Sequence, residues 1–299
     1  MPKPTLVLAT SLAPTDERGV QHAAIQSWLD LGISVVAVNV AQEIDALQPS
    51  YPDIHFEPAS RTAEQHAKRP VPYIYDLLQT AKAHSQSGDT IGIINADIFL
   101  RPSNDLVPFL SAEAAGSVIL GPRVDVSDKG VFESYQSESE PTFSIGYDYF
   151  LMSRDLVDDF KDSPFAMGMP FWDYWLPLTA YLNGRPLKTL ESPIALHVTH
   201  ETRWDDTIYL FFHALIAYAI EQSKTDDDGT DPASRRLAFF LNVISHHYGF
   251  VLDNGTAESN SQAPDDNALG ALADFYDRFQ ETAVHTIKSN ATTIRLPSA

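Results

Sequence analysis

Short apolar runs alternate with amphipathic stretches along the first hundred residues. The run 6–10 (LVLAT) is mostly aliphatic, and the run 33–40 (ISVVAVNV) is rich in β-branched residues, which is typical of buried parallel strands. Between such runs, apolar residues recur three and four positions apart, the spacing of a helix that buries one face. The predicted strands are 6–10, 33–40, 54–58 and 90–100, and the predicted helices are 20–31 and 72–83. This alternation predicts an α/β domain built on a parallel or mixed sheet.

The middle of the chain is more varied. Strand-like runs occur at 117–120, 143–152 and 192–198. An acidic, polar stretch at 125–141 predicts a loop or a hairpin, and 176–182 predicts a helix that ends at an Asn-Gly pair. These elements extend the same sheet and its covering helices.

The last third is predicted to be mostly helical, with helices at 209–221, 233–248 and 265–288. We therefore expect a catalytic domain over residues 1–205 and a helical C-terminal region over residues 206–299 that packs on it. The apolar stripe of the last helix has to be buried against the domain, against a second copy of the chain or against another partner. A homo-oligomer formed through these helices is one of the alternatives.

Composition limits the classes of function. The chain has 299 residues, no cysteine and a formal net charge of −20. The lack of cysteine excludes a disulfide scaffold, a thiolate nucleophile and cysteine-ligated metal sites. So negative a surface repels phosphate backbones and anionic membranes, so nucleic acid is not an expected partner. The longest apolar run, 208–220, falls short of the roughly 20 residues of a spanning helix. We expect a cytoplasmic protein without a transmembrane segment.

A strand that ends in polar residues is the first candidate site. In the run 91–100 (IGIINADIFL), strand geometry predicts that Asn95 and Asp97 lie on one face, since side chains alternate along a strand. Ligands bind at the carboxyl ends of strands in open α/β sheets. A carboxylate there can hold a hard divalent cation, which neutralises a diphosphate. An ordinary turn at the end of a strand would explain the same pattern.

Two later segments add further candidates. His197 and His200 leave a predicted strand three residues apart and could ligate a metal, or could form hydrogen bonds in the core. Asp173 lies in a segment dense in aromatic residues, 165–175, which suits a pocket wall. Partial desolvation would raise the pKa of this acid and fit a general base. Capping of the following helix is the alternative for Asp173.

Taken together, these segments resemble glycosyltransferases of the GT-A fold. In that family a variant of an Asp-X-Asp motif ends a central strand, an acid lies in a Gly-X-Pro-Trp-Asp-like segment, and a downstream histidine completes a metal site. The resemblance covers roughly residues 5–205. It implies a GT-A-like (Rossmann-like), mixed but mainly parallel sheet flanked by helices, with a helical C-terminal appendage. It also implies sugar transfer from a UDP- or GDP-linked donor to a hydroxyl of a glycan or small acceptor, as in polysaccharide biosynthesis.

The resemblance implies specific roles at the centre of the site. Asp97, with His197 or His200, would bind Mn²⁺ or Mg²⁺, and Asn95 would contact the ribose or a metal-bound water. Asp173 would be the catalytic base. Because Asn95 stands where the family has an acid, the site offers fewer negative ligands, which puts its metal affinity in question.

The resemblance also implies residues that contact the two substrates. The donor nucleotide would bind Thr10, Ser11, Arg61, Lys68 and Arg69, in addition to Asn95 and Asp97. The acceptor would contact Asp148 and Trp172. Whether the anomeric configuration is inverted or retained stays open.

Two other functions compete with sugar transfer. A degenerate GT-A-like fold could serve as a carbohydrate-binding or interaction module without turnover. Nucleotidyl transfer also uses a strand-end acid and a metal, but such enzymes usually carry a glycine-rich, basic loop near the N-terminus. Residues 11–19 (SLAPTDERG) contain one glycine and one arginine, a poor cradle for a triphosphate.

Overall fold

The computed structural model describes residues 5–16, 18–135, 141–144, 146–200, 207–222 and 283–297. The chain divides into two compact units, Met1–Ile208 with Ala291–Ala299 and Tyr209–Asn290. The predicted helix at 233–248 and residues 265–282 of the last predicted helix lie outside the described residues. The boundary predicted near residue 205 stays a prediction.

Short strands and helices alternate through the first unit. Its strands are β1 Leu6–Thr10, β2 Ser34–Asn39, β3 His55–Pro58, β4 Thr90–Ile94, β5 Ile98–Leu100, β6 Val118–Gly121, β7 Val124–Val126, β8 Tyr149–Ser153, β9 Leu187–Leu190, β10 Ala195–Val198 and β11 Ala291–Ile294. Its helices are α1 Val20–Asp30, α2 Ala41–Leu47, α3 Glu64–Ala67, α4 Ile74–Ala83, α5 Leu106–Glu113, α6 Val131–Ser134 and α7 Trp172–Leu182. Gln48–Ser50 and Arg154–Asp159 form short 3₁₀ segments.

Two sheets organise these strands. Among the described residues, eight strands form a main sheet in the order β11-β9-β6-β8-β4-β1-β2-β3, and three form a second sheet in the order β5-β10-β7. In the main sheet β8 is antiparallel to both of its neighbours, and every other pair is parallel. The predicted fold class, a mixed and mainly parallel sheet flanked by helices, is confirmed.

The central strands are apolar because both of their faces are covered. Every residue of β1 and of β4 is buried. Side chains alternate between the faces of a strand, and Leu6 and Leu8 of β1 join the core cluster that contains Trp28 of α1. Trp28 is fully buried, and its Nε1 donates a hydrogen bond to the Ile98 carbonyl at 2.8 Å. Helix α1 is thereby fixed beneath the start of β5.

Several short elements differ from the prediction. The predicted strand 90–100 is two strands, β4 and β5, which belong to different sheets. The predicted loop or hairpin at 125–141 overlaps β7 and contains α6, and the predicted strand 143–152 corresponds to β8, which begins at Tyr149. Strands β9 and β11 were not predicted. Strands of three or four residues are too short for their side-chain alternation to be recognised, so only their pairing identifies them.

Helix α8, Thr207–Gln222, confirms the helix predicted at 209–221. In the second unit, residues 283–290 are also helical, and Ala283 and Ile287 are buried there. Across the described parts of the chain, we find no helix with both the length and the apolar character needed to cross a bilayer.

Candidate active site

A turn at the end of β4 carries Asn95 and Asp97. Strand β4 stops at Ile94, and the Ile98 N–H donates to the Asn95 carbonyl at 3.2 Å before β5 begins. The prediction that Asn95 and Asp97 share one face of a continuous strand is therefore wrong, because a turn sets the positions of both residues. This turn joins the main sheet to the second sheet.

The strand order of the main sheet reverses beside this turn. From β1 the chain continues outwards through β2 and β3, whereas β4 lies on the other side of β1. In open α/β sheets such a reversal leaves a ligand-binding crevice at the carboxyl ends of the two strands. Thr10 ends β1, is fully buried, and donates its hydroxyl to the Ile94 carbonyl at 2.7 Å. Thr10 thus ties the two strand ends together, and the neighbouring Ser11 is partly exposed.

The second sheet brings two histidines to Asp97. His197 lies on β10 and pairs with Ile98 of β5, the residue after Asp97. The His197 Nε2 and the His200 Nε2 each lie 3.4 Å from Asp97 Oδ2. The ligand atoms of the three residues all lie within 4.8 Å of one another. The structure therefore brings together the three residues predicted as metal ligands.

Asp97 is held in its charged form. Burial acts to raise the pKa of Asp97, but hydrogen bonds from His197 and His200, together with their charge, outweigh burial and hold the pKa well below its ordinary value. His197 is buried and His200 is exposed. The cluster thus reaches from the protein interior to the solvent.

The three side chains fit a single divalent ion. Two ligand atoms about 2.1 Å from one ion lie roughly 3.0 Å apart at a right angle and roughly 3.4 Å apart at a tetrahedral angle. The two 3.4 Å separations between imidazole nitrogen and carboxylate oxygen agree with such spacings. Two nitrogen ligands favour a transition ion, because Mg²⁺ prefers oxygen.

Asp125, which the sequence analysis missed, lies behind His197. Its Oδ1 is 2.9 Å from His197 Nδ1, and the two residues are cross-strand partners on β7 and β10. An acidic partner on the second ring nitrogen fixes the tautomer and orientation of a metal-binding histidine. Burial acts to raise the pKa of Asp125, but hydrogen bonds from His197 and Arg123 lower it below its ordinary value. Three residues are too few for their alternation to identify a strand here, so the sequence carried no clear sign of Asp125.

Arg123 connects this cluster to β8. Its Nε donates to Asp125 Oδ1 at 3.0 Å, and its Nη1 donates to Asp148 Oδ2. Asp148 Oδ1 in turn accepts a hydrogen bond from Asn95 Nδ2 at 2.7 Å. Asn95 and Asp148 are therefore hydrogen-bonded to each other. An unbroken chain of polar contacts runs from Asn95 to His200.

Asp173 lies in the first turn of α7. Burial raises the pKa of Asp173 to about 7, although backbone hydrogen bonds and the charge of Arg123 act in the opposite direction. Gly146, with φ at 97°, passes so close that a Cβ there would lie 3.1 Å from Asp173 Oδ2. Beside it, the buried Trp172 packs edge-on against Phe150 with ring centroids 5.4 Å apart. The expected desolvation of Asp173 is present, and its catalytic role stays a prediction.

The predicted basic residues lie around α3 and α4. Arg61 pairs with Asp76 at 2.8 Å and with Asp162 at 2.6 Å, so its charge is already compensated. These contacts tie the loop before α3 to the first turn of α4. Lys68 and Arg69 are exposed at the end of α3. Their contact with a nucleotide stays a prediction.

Comparison with known proteins gives only distant structural likeness. No family model matches the chain, and no curated protein matches it. A mannosyltransferase from Pyrobaculum calidifontis, solved with GDP-Man and Mn²⁺, is 14% identical with a TM-score of 0.43, covering 96% of this chain and 87% of its own. A putative glucose-1-phosphate thymidylyltransferase from Bacillus anthracis, solved with a sucrose, is 11% identical (TM-score 0.34; 72% and 94% covered). A mannose-1-phosphate geranyltransferase from Thermus thermophilus is 9% identical (TM-score 0.29; 68% and 76% covered). Sequence identities and TM-scores this low do not indicate a function, which has to be inferred from the residues of the site.

Proposed function

We propose that this chain is a metal-assisted glycosyltransferase that moves a sugar from a nucleotide-sugar donor to a hydroxyl of a glycan or small acceptor. The convergence of Asp97, His197 and His200 just beyond the end of β4 carries the proposal. A divalent cation held there would lie close to the crevice between β1 and β4, where α/β sheets bind phosphorylated ligands. Asp173, with its pKa near 7, supports the proposal as a separate acid–base group.

The three converging residues would hold the ion, and Asp125 would orient His197. A bound divalent cation supplies the positive charge that stabilises the departing diphosphate. This chain needs such a charge, since its net charge of −20 repels a phosphate-bearing ligand. The donor set favours Mn²⁺ over Mg²⁺.

The donor nucleotide would bind at the end of β1, against Ser11 and the backbone at Thr10. Asn95 would face the ribose while its amide stays bonded to Asp148. Exposed Lys68 and Arg69 would add positive charge for the phosphates. Arg61 would act by holding their segment, because its guanidinium is already paired.

Asp173 would take the proton of the acceptor hydroxyl. A carboxylate whose pKa lies near 7 is a stronger base than an ordinary aspartate and is still ionised in a large fraction of molecules at neutral pH. As the hydroxyl oxygen bonds to the anomeric carbon, the bond from that carbon to the diphosphate breaks and a nucleoside diphosphate leaves. Trp172 and Asp148 would form part of the acceptor side.

Ligand-dependent stability tests the proposal. We expect one of UDP, GDP and CMP to raise the thermal midpoint only when Mn²⁺ is present, because a ligand that binds only the folded state stabilises it. Calorimetric titration gives the affinity. Asp97→Ala should lose this response while its circular dichroism and cooperative unfolding are unchanged, and the exposed Asp128→Ala should keep it. A response that is equally large without Mn²⁺, or that survives in Asp97→Ala, would contradict the metal site.

Product analysis separates the competing functions. With the nucleotide sugar that binds, release of nucleoside diphosphate and a glycosylated acceptor supports sugar transfer. Release of pyrophosphate from a nucleoside triphosphate and a sugar phosphate identifies nucleotidyl transfer instead. Sugar binding that needs no metal, with the donor left intact, identifies a carbohydrate-binding module.

A further inference from the structure

A second group of metal-ligating side chains lies on β3, the edge strand of the main sheet. His55 and Glu57 are two residues apart on this strand, so they share one face. Pairing with β2 fixes their backbone, since His55 pairs with Val36 and Glu57 with Val38. His84 reaches the same face from the C-terminal end of α4, where its backbone N–H donates to Thr80 at 3.1 Å. Three anchored positions thus present their side chains to one point.

Both imidazoles approach the same carboxylate oxygen. Glu57 Oε1 lies 2.9 Å from His55 Nε2 and 3.0 Å from His84 Nε2, and the two rings lie with their centroids 4.6 Å apart. The ligand atoms of all three residues lie within 4.8 Å of one another. Ligand atoms around a tetrahedral ion are roughly 3.4 Å apart. Both separations between imidazole nitrogen and carboxylate oxygen are therefore within about 0.5 Å of the tetrahedral spacing.

We propose that His55, Glu57 and His84 form a second metal site that binds a transition ion such as Zn²⁺ and clips the edge strand β3 to the end of α4. Two imidazoles and one carboxylate are a common zinc ligand set, in which water completes the fourth position. The nitrogen ligands select against Mg²⁺ and Ca²⁺, which prefer oxygen. All three side chains are at least partly exposed, so the ion can enter from solvent.

This site differs in position and purpose from the Asp97 cluster. None of its residues takes part in the proposed transfer reaction, and its ligands come from β3 and α4, whereas the Asp97 cluster is built on the β4–β5 turn and β10. An ion that binds only the folded chain stabilises it by mass action. We therefore assign the second site a structural purpose: it fastens β3, which among the described strands pairs with β2 alone.

Zinc binding to single variants tests the proposal. Equilibrium dialysis against Zn²⁺, followed by metal analysis, should show that His84→Gln and His55→Gln each bind one ion fewer than the wild-type chain. His22→Gln, which removes an exposed histidine from α1, should bind as many ions as the wild type. Thermal midpoints measured in EDTA should agree among the four proteins, whereas the midpoint rise caused by Zn²⁺ should be smaller in the two site variants. A wild-type ion count in His84→Gln would overturn the proposal.

A second set of variants distinguishes zinc bound at this site from zinc bound at the Asp97 cluster. In an Asp97→Ala background, adding His84→Gln should still remove one bound Zn²⁺, and Glu57→Gln should weaken the remaining site at least tenfold. If Asp97→Ala alone abolishes all zinc binding, no second site exists. The result is independent of the proposed function, because it does not require nucleotide binding or turnover.

Discussion

Replacing Asp125 with alanine probes how the site holds its metal without touching a proposed ligand. The wild-type carboxylate lies 2.9 Å from His197 Nδ1. A hydrogen bond donated by Nδ1 leaves the lone pair of Nε2 available to a metal ion that Asp97 also binds. Without Asp125, the ring can rotate or carry its proton on Nε2, and either change weakens metal binding.

The expected loss lies near the lower end of the usual range. Removal of such a partner typically weakens metal binding 10- to 100-fold, or about 1.4–2.8 kcal/mol. The Asp125 side chain is 33% exposed, so water can enter the space it leaves and accept the Nδ1 hydrogen bond. Arg123 retains its contact with Asp148. We therefore expect a loss of about tenfold in Mn²⁺ affinity, roughly 1.4 kcal/mol.

Electron paramagnetic resonance of free Mn²⁺ gives the dissociation constants directly. Asp128→Ala is a matched control, since Asp128 lies on the same segment and carries the same charge, while its side chain, within the part of the chain that the structure describes, is hydrogen-bonded to Ser127 and Gly130. Unchanged affinity in a folded Asp125→Ala protein would refute the orienting role. An equal loss in Asp128→Ala would show that general charge, not orientation, controls binding.

Two residues give the remaining predictions. If Asp173 is the base, the rate of transfer should rise with pH through about 7. Asp173→Asn should bind the donor normally but lose both the activity and this rise with pH. If the rise persists in Asp173→Asn, Asp173 is not the base. Folding raises the pKa of Asp173 from 3.8 to about 7, so between these pH values the folded chain keeps a proton that the unfolded chain releases. The free energy of unfolding, measured by chemical denaturation relative to Asp173→Asn, should therefore fall between about pH 4 and 7. In Gly92→Ala the new Cβ would lie 2.7 Å from the Phe150 backbone carbonyl and should destabilise the fold by about 1–3 kcal/mol or more in urea unfolding. In Gly130→Ala the new Cβ would lie 2.9 Å from Asp128 Oδ1, but this exposed side chain can move aside, so the free energy of unfolding should change by less than about 0.5 kcal/mol. Equal effects of the two substitutions would contradict the packing argument.

Local patterns predicted the central part of the fold. The runs 6–10 and 90–94 are apolar apart from Thr10 and Thr90, because both faces of a central strand are covered, and that burial is visible in the sequence itself. Helix α1 was predicted for a similar reason, since Ala24 and Trp28 recur on its buried face. Gly32 follows the helix with φ at 74°, as expected for a glycine that ends one.

The second sheet could not be predicted in the same way. Its strands β5 and β7 have three residues each, and the acidic residue within β7 made the segment resemble a loop. Pairing with β10, more than 70 residues further along the chain, is what orders them. Because this pairing is not visible in the sequence, Asp97 was expected to share a strand face with Asn95, and no role was predicted for Asp125.

By itself the sequence determined the residue types available for chemistry: a strand-end acid, two histidines three residues apart, an acid among aromatic residues, and no thiol. Tertiary structure decided which of them meet. The contact of His197 with Asp125 joins positions 72 residues apart, and the contact of Arg123 with Asp148 joins positions 25 residues apart. Periodicity reports whether a residue faces the core or the solvent, because burial acts on each position separately. Ligand geometry depends on the register between distant strands, and that register exists only in the folded chain.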